Sequence, residues 1–233
     1  MEPTGKIMVR AAVFDAYGTI FNLDAALHGF RDRIGPAWAE ITRDWRVKQL
    51  EYAWVRSLAG AAAHRDFWRL TREALEVAAA RHGLADAALL DEIMQAYRAL
   101  PAYPEVAPAL AALRERGIAR VILTNGEPAM TKAAIAAARL APLLDAVLSA
   151  ELVGTFKPDP SLYALVKGRF GAGGGIAFLS SNPWDVFGAA QAGLRAIRVN
   201  RTGAPDEYGL RGRVPEIAGL DTLPTLLVRE ADA

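Results

Sequence analysis

Short apolar runs, each closing on a polar residue and followed by a helical segment, set the strongest limit on how this chain can fold. "AAVF" leads to Asp15, "RVILT" to Asn125, "DAVLS" to Ala150 and "IAFLS" to Ser181; a fifth run, "AIRV", leads to Asn200. Continuous apolar runs of this length fit parallel strands covered on both faces. Between them lie "PEVAPALAALRERG", "EPAMTKAAIAAARL", "DPSLYALVKGRFG" and "PWDVFGAAQAG". The first has Pro near its start and Gly after its end, the usual helix punctuation. The alternation predicts an α/β core, a Rossmann-like parallel sheet built from βαβ units.

One interval breaks the pattern. Between Asn22 and Ala102 the sequence offers no convincing strand, only amphipathic stretches such as "PAWAEITRDWRVKQLEYAWVRSLAG", "RDFWRLTREALEVAAARHG" and "DAALLDEIMQAYRAL". Their apolar residues recur at helical spacing. The expected organisation is a core of residues 1–21 and 103–233 interrupted by an all-helical cap of residues 22–102. The Gly-rich "GAGGG" precedes a strand rather than a helix, so it reads as a plain turn and not a phosphate cradle.

Composition narrows the chemistry. The 233 residues carry a net charge of +1 with both signs mixed. That argues against a nucleic-acid surface and against a polybasic membrane patch. The absence of cysteine removes thiolate nucleophiles and Cys-ligated zinc. The N-terminal "MEPTGKIMVRAAVF" lacks a signal-peptide apolar core, and no run is long enough to span a membrane. A cytoplasmic protein is expected. The three histidines, His28, His64 and His82, lie in charge-rich helical stretches and read as surface or boundary positions. A general base, if there is one, is then a carboxylate.

In open α/β sheets, ligands bind beyond the carboxyl ends of the strands. Polar groups gather at four such ends: Asp15; Thr124 and Asn125; Lys157 in "VGTFKPD"; and Ser180, Ser181, Asn182 and Asp185 in "SSNPWD". Each has a modest explanation by itself, a helix cap for Asp185 or a turn for Asn125-Gly126. Four of them in order at four strand ends point to one site.

The set Asp15, Thr124, Lys157 and Asp185 resembles the haloacid dehalogenase superfamily. "DAYGT", "WRVKQLEYAWVRSL", "LTNG", "FKPD" followed by Tyr163, and "SSNPWD" are similar to the L-2-haloacid dehalogenases over nearly the whole chain. The resemblance implies a hydrolase that converts short 2-haloacids to 2-hydroxyacids with inversion, through an ester on Asp15. It gives Thr124 and Lys157, with the backbone N–H groups of the first turn, the substrate carboxylate, and Arg46 and Asn125 the departing halide. Asp185, helped by Ser180 and Asn182, would activate the hydrolytic water. Ala16, Tyr17, Thr19, Leu50, Tyr163 and Trp184 complete the substrate-binding set, and Phe21 and Phe67 extend its apolar lining. Trp38 and Trp54 are expected to serve only as core.

Phosphatases of the superfamily place a second Asp two residues after the nucleophile. Tyr17 stands there, and its reference pKa near ~10 unfits it for acid–base work at neutral pH. Two carboxylates facing Lys157 and a cap arginine also make a poor magnesium site. No cofactor and no metal are expected; the expected partners are a small-molecule 2-haloacid and water, with a homodimer built partly on cap helices. The alternatives are a metal-dependent phosphatase of the same superfamily and a catalytically silent binding protein on this scaffold.

Overall fold

The computed structural model describes residues 9–171 and 175–232. Residues 172–174 of the Gly-rich turn and the first eight residues lie outside the described part. The six strands are β1 (Ala11–Phe14), β2 (Ala119–Thr124), β3 (Ala146–Ser149), β4 (Ile176–Ser180), β5 (Arg195–Val199) and β6 (Glu216–Ile217). They form one parallel sheet in the order β3-β2-β1-β4-β5-β6. β1 is central, and its four residues are fully buried, as its uninterrupted apolar run requires. Phe14 and Phe178 are also wholly buried; side chains of this size contribute roughly 1.5–3 kcal/mol each.

The register aligns the strand ends. Phe14 sits opposite both Ile122 and Leu179, and Thr124 opposite Ser149. Asp15, Thr124 and Ser180 therefore leave the sheet along one edge. The strand order turns at β1, with β2 on one side and β4 on the other, which opens a crevice above their carboxyl ends.

Between β1 and β2 run α1 (Asp24–His28), α2 (Arg31–Ile34), α3 (Trp38–Leu58), α4 (Phe67–Arg81) and α5 (Ala87–Arg98). α3 and α4 pack closely, and Ile41 and Trp45 of the one and Leu70 and Ala74 of the other are buried. Trp45 fixes their mutual position by donating its indole N–H to the Thr71 carbonyl at 2.8 Å. α4 and α5 begin at Asp66 and Asp86, whose carboxylates accept from the N–H of Arg69 and Leu89. The remaining helices cover the sheet: α6 (Val106–Glu115), α7 (Pro128–Ala137), α8 (Pro160–Phe170), α9 (Pro183–Gln191) and α10 (Leu223–Asp232). α1, α2, α10 and β6 are absent from the sequence reading. The first two and β6 are five residues or shorter, too short for a periodicity to register. No helix of the described residues is long and apolar enough to cross a membrane.

The chain crosses between core and helical segment twice, side by side. Asn22 N–H bonds the Pro101 carbonyl and Tyr103 N–H the Ile20 carbonyl, at 2.9 and 3.0 Å, and Phe21 bridges Ala102. Trp38 and Trp54 are each half-buried rather than core. Trp54 instead sits on the seam, donating to the Lys157 carbonyl at 3.2 Å and meeting Trp184 edge to face.

Candidate active site

Asp15 leaves β1 buried, with both oxygens occupied by donors. Lys157 Nζ reaches Oδ1 at 2.8 Å; the Thr19 hydroxyl and Asn182 Nδ2 each reach Oδ2 at 3.0 Å. The turn that carries Thr19 forms because Gly18 takes φ +92, where a side chain would be strained and its Cβ would sit 3.1 Å from Ser181 Oγ. The N–H groups of Gly18, Ile20 and Phe21 close that turn on carbonyls of Phe21 and Ala16. The N–H groups of Ala16 and Tyr17 make no such bond among the described residues.

Lys157 is fully buried, and its three N–H donors go to Asp15, Asp185 Oδ2 at 2.6 Å and the Leu123 carbonyl at 3.1 Å. Burial alone would pull its pKa down, but the Asp15 and Asp185 charges outweigh burial and hold the ammonium above its ordinary value. Asp185 takes its other oxygen to the Tyr163 hydroxyl at 2.7 Å. Burial pushes Asp185 up from the usual carboxylate range; Lys157 opposes the rise and the Asp15 charge adds to it. One cation balances one of two facing carboxylates, so an upward direction for Asp185 is physically sound. Burial first, and Asp185 second, also raise Tyr163, which stays a donor.

Four sequence expectations change here. Lys157 has no N–H left for a substrate carboxylate; it is a counter-ion wedged between two acids. Tyr163 is wholly buried against Asp185 and faces that acid, not a ligand. The side chains of Ser180 and Asn182 do not bond the Asp185 carboxylate: Ser180 Oγ accepts the Asn182 N–H, and the Asn182 side chain bridges Asp15 to Arg46 Nη2 at 3.3 Å. Asn182 occupies the N-cap position of α9 yet caps nothing, because its side chain is engaged at Asp15. Thr19, read as substrate-binding, donates to Asp15 and accepts the Ser181 N–H.

Asn125 turns its carbonyl oxygen onto the Lys157 N–H at 2.8 Å, which leaves its Nδ2 free to donate elsewhere. Thr124, fully buried, accepts the Gly126 N–H at 2.9 Å and keeps its own proton available. Gly126 is required by close approach: a Cβ there would lie 2.8 Å from the Tyr17 ring and 2.7 Å from Thr131 Oγ1. Tyr17 is buried and stacks on Tyr97 of α5 at 5.4 Å, with Phe21 tilted against its other side. Burial raises both tyrosines well clear of titration at neutral pH. Leu50 lies half-buried on α3 one turn beyond Arg46, and Phe67 packs on Phe156 along the seam.

Arg46 projects from α3, and a residue the sequence reading missed aims it. Gln49, one turn on, accepts Arg46 Nη1 at 2.6 Å, while its own amide donates to Thr71 and Tyr97. The i, i+3 spacing of Arg46 and Gln49 was the available signal. A pocket of about 90 Å³ adjoins them, lined by Leu23, Thr42, Trp45, Arg46, Gln49 and Tyr97. The three histidines play no part: His64 pairs with Glu151, His82 with Asp44, and His28 is exposed.

A central strand ends in a buried aspartate, a lysine is clamped between two acids, and an arginine of α3 reaches the same crevice. The family model of haloacid dehalogenase-like hydrolases matches residues 9–193. (S)-2-haloacid dehalogenase 1 of Pseudomonas sp. (strain CBS-3) is 38% identical over 223 residues, 95% of this chain and 97% of that protein. (S)-2-haloacid dehalogenase 4A of Burkholderia cepacia is 39% identical over 223 residues, 95% and 96% respectively. This chain belongs to the L-2-haloacid dehalogenase family. A solved L-2-haloacid dehalogenase of Xanthobacter autotrophicus, with chloropropionic acid covalently bound, superposes with a TM-score of 0.84 at 36% identity, over 95% of this chain and 99% of that one.

One solved chain of the same fold, from Bacillus subtilis and 19% identical, is bound to magnesium. The donor set of this dehalogenase-family site does not suit it. Asp15 and Asp185 both face the Lys157 ammonium, and Tyr17 fills the position of the phosphatase acid. Among the described residues no group of three or more acidic or histidine side chains is disposed to hold a metal.

Proposed function

We propose that this protein hydrolyses short (S)-2-haloalkanoic acids to 2-hydroxyacids with inversion, through an ester on Asp15. The observation that carries the reading is Asp15 itself: buried, held at both oxygens, and followed two residues later by a phenol in place of a second acid. In the first step an Asp15 oxygen forms a bond to C2 as the carbon–halogen bond breaks and halide departs. The donors on Asp15 fix its direction, and a buried setting removes the water that would blunt it. With Lys157 occupied, the substrate carboxylate falls to the Ala16 and Tyr17 N–H groups and the Thr124 hydroxyl. Arg46 and the free Asn125 amide take the halide, meeting the charge that develops on it. In the second step water attacks the ester carbonyl carbon. Asp185 accepts a proton from that water; its raised pKa suits the task. The bond from the ester carbonyl carbon to the oxygen on C2 breaks, that oxygen takes the proton from Asp185, and hydroxyacid leaves; the carboxyl left on Asp15 gives its proton to solvent and the carboxylate is regenerated. Trp184 and Leu50 provide apolar walls.

The test is halide release from L- and D-2-chloropropionate with EDTA present, run beside a generic phosphate ester with Mg²⁺. Release from the L-acid alone supports the proposal; turnover of only the phosphate ester refutes it. Arg46→Lys keeps the charge but loses the planar fork held by Gln49 and Asn182. Halide release should fall by on the order of 10²-fold, the scale for losing a transition-state donor. Near-normal release would remove Arg46 from the halide site.

The proposal includes a cap of residues 22–102 and a cytoplasmic homodimer. Leu58, at 89% exposure, continues the line of half-buried Leu50 and Trp54 on α3. Beside it lies an apolar groove of about 530 Å³ lined by Trp54, Leu58, Phe156, Trp184, Phe187 and Tyr208. An uncovered apolar face of this kind supports docking of a second copy. Light scattering at micromolar concentration should give twice the chain mass, and a monomer mass would rule this out.

A further inference from the structure

Arg201 lies in the loop after β5, far from Asp15 in sequence, yet its guanidinium meets the turn that carries Thr19. Nη1 donates to the Gly18 carbonyl at 3.3 Å and Nη2 to the Thr19 carbonyl at 2.9 Å. Nε donates to Glu105 Oε1 at 2.8 Å, and the guanidinium lies 3.8 Å from the centre of the Tyr103 ring. Gly18 and Thr19 belong to the outgoing crossing from core to helical segment; Tyr103 and Glu105 belong to the return. One side chain thus spans both crossings. Its own loop is braced by Asn200, whose side chain both donates to and accepts from Ala204.

We propose that Arg201 is a positioning residue for Asp15, acting through the turn it clamps. A planar amide fixes each N–H opposite its C=O. Holding the Gly18 and Thr19 carbonyls on one side therefore sets how the turn presents its other peptide groups. The same hold fixes the Thr19 backbone, and with it the hydroxyl on Asp15 Oδ2. The planar guanidinium spreads its donors over two carbonyls and a carboxylate while its flat face lies on the Tyr103 ring; an ammonium presents its three donors from one point and has no face to stack. A shift of about 1 Å in a reacting group costs on the order of 10²-fold in rate. Asp185, Lys157 and Tyr163 do not touch Arg201, so the second step should be spared. The functional half of this inference rests on Asp15 being the nucleophile.

Arg201→Lys and Arg201→Gln test it, each beside the wild-type protein. Rapid quench with L-2-chloropropionate should show ester formation slowed by about 10- to 100-fold, with ester hydrolysis unchanged. Hydrogen exchange of the free proteins should speed up in residues 16–22 and 101–105 and not in 176–191. Lysine should rescue neither readout. Wild-type ester formation in the variants, or equal slowing of both steps, would overturn the positioning role. Unchanged exchange in 16–22 would overturn the clamp itself. The exchange arm stands without catalysis: if the wild-type protein forms no ester, the Asp15 reading fails while the clamp is still decided.

Discussion

Lys157→Met should abolish halide release and destabilise the protein in a pH-dependent way. The wild-type ammonium lies 2.8 Å from Asp15 and 2.6 Å from Asp185, fully buried. Methionine fills the volume but leaves two buried carboxylates facing each other without a cation. Removing one partner of a buried ion pair costs about 3–5 kcal/mol. At least one of the two acids should then bind a proton at neutral pH, which weakens either the nucleophile or the water-activating base. The sign of the pH effect follows. In the variant Asp185 loses the cation that opposes its upward shift, so the folded form holds a proton that the unfolded form releases above pH ~4. The penalty relative to wild type should shrink as pH falls. In the wild type, the raised Lys157 pKa contributes stability that is complete below its unfolded value near ~10.4 and is lost as pH rises through the folded value. Thermal unfolding at several pH values checks both directions. An equal penalty at pH 5 and pH 8, or halide release within tenfold of wild type, would contradict this account.

How much of this was legible beforehand differs between fold and site. β1, β2, β4 and β5 could be read because each holds a largely apolar run that is buried nearly throughout, and β3 from the same pattern although its Val147 is exposed; β6 has two residues and only one buried. The site residues could be located by their places at the strand ends, since the parallel register brings such ends together. Their partners could not. Nothing in the spacing indicates that Lys157 uses all three donors internally, or that Asn182 turns to Asp15 rather than Asp185. Those outcomes depend on side-chain reach across the β1–β4 crevice. Arg201 was invisible for the same reason: its contact with Gly18 spans 183 positions and follows no motif. Gln49 was within reach of the sequence, because helical periodicity alone sets it beside Arg46.

Asp15→Asn should leave the fold intact and remove the activity. The amide oxygen can still accept from Lys157 or Thr19, so the buried cluster keeps most of its hydrogen bonds. An amide is a poor nucleophile towards carbon, and loss of a nucleophile costs on the order of 10⁴-fold or more. Halide release should be undetectable, and no ester should accumulate. Loss of activity alone, however, leaves two mechanisms open. Asp15 could attack carbon, or it could act as a base while water attacks carbon. Both need the carboxylate, and no histidine lies in the site to serve as a separate base.

Heavy-oxygen water separates them. In the ester route the hydroxyl oxygen of the first product molecule comes from Asp15, and the water oxygen stays on the aspartate. A single turnover of L-2-chloropropionate with enzyme in excess should give unlabelled hydroxyacid, and the peptide containing "VFDAYGT" should gain the label. Labelled hydroxyacid in that first turnover, with an unlabelled peptide, would show Asp15 to be a general base and contradict the mechanism proposed here.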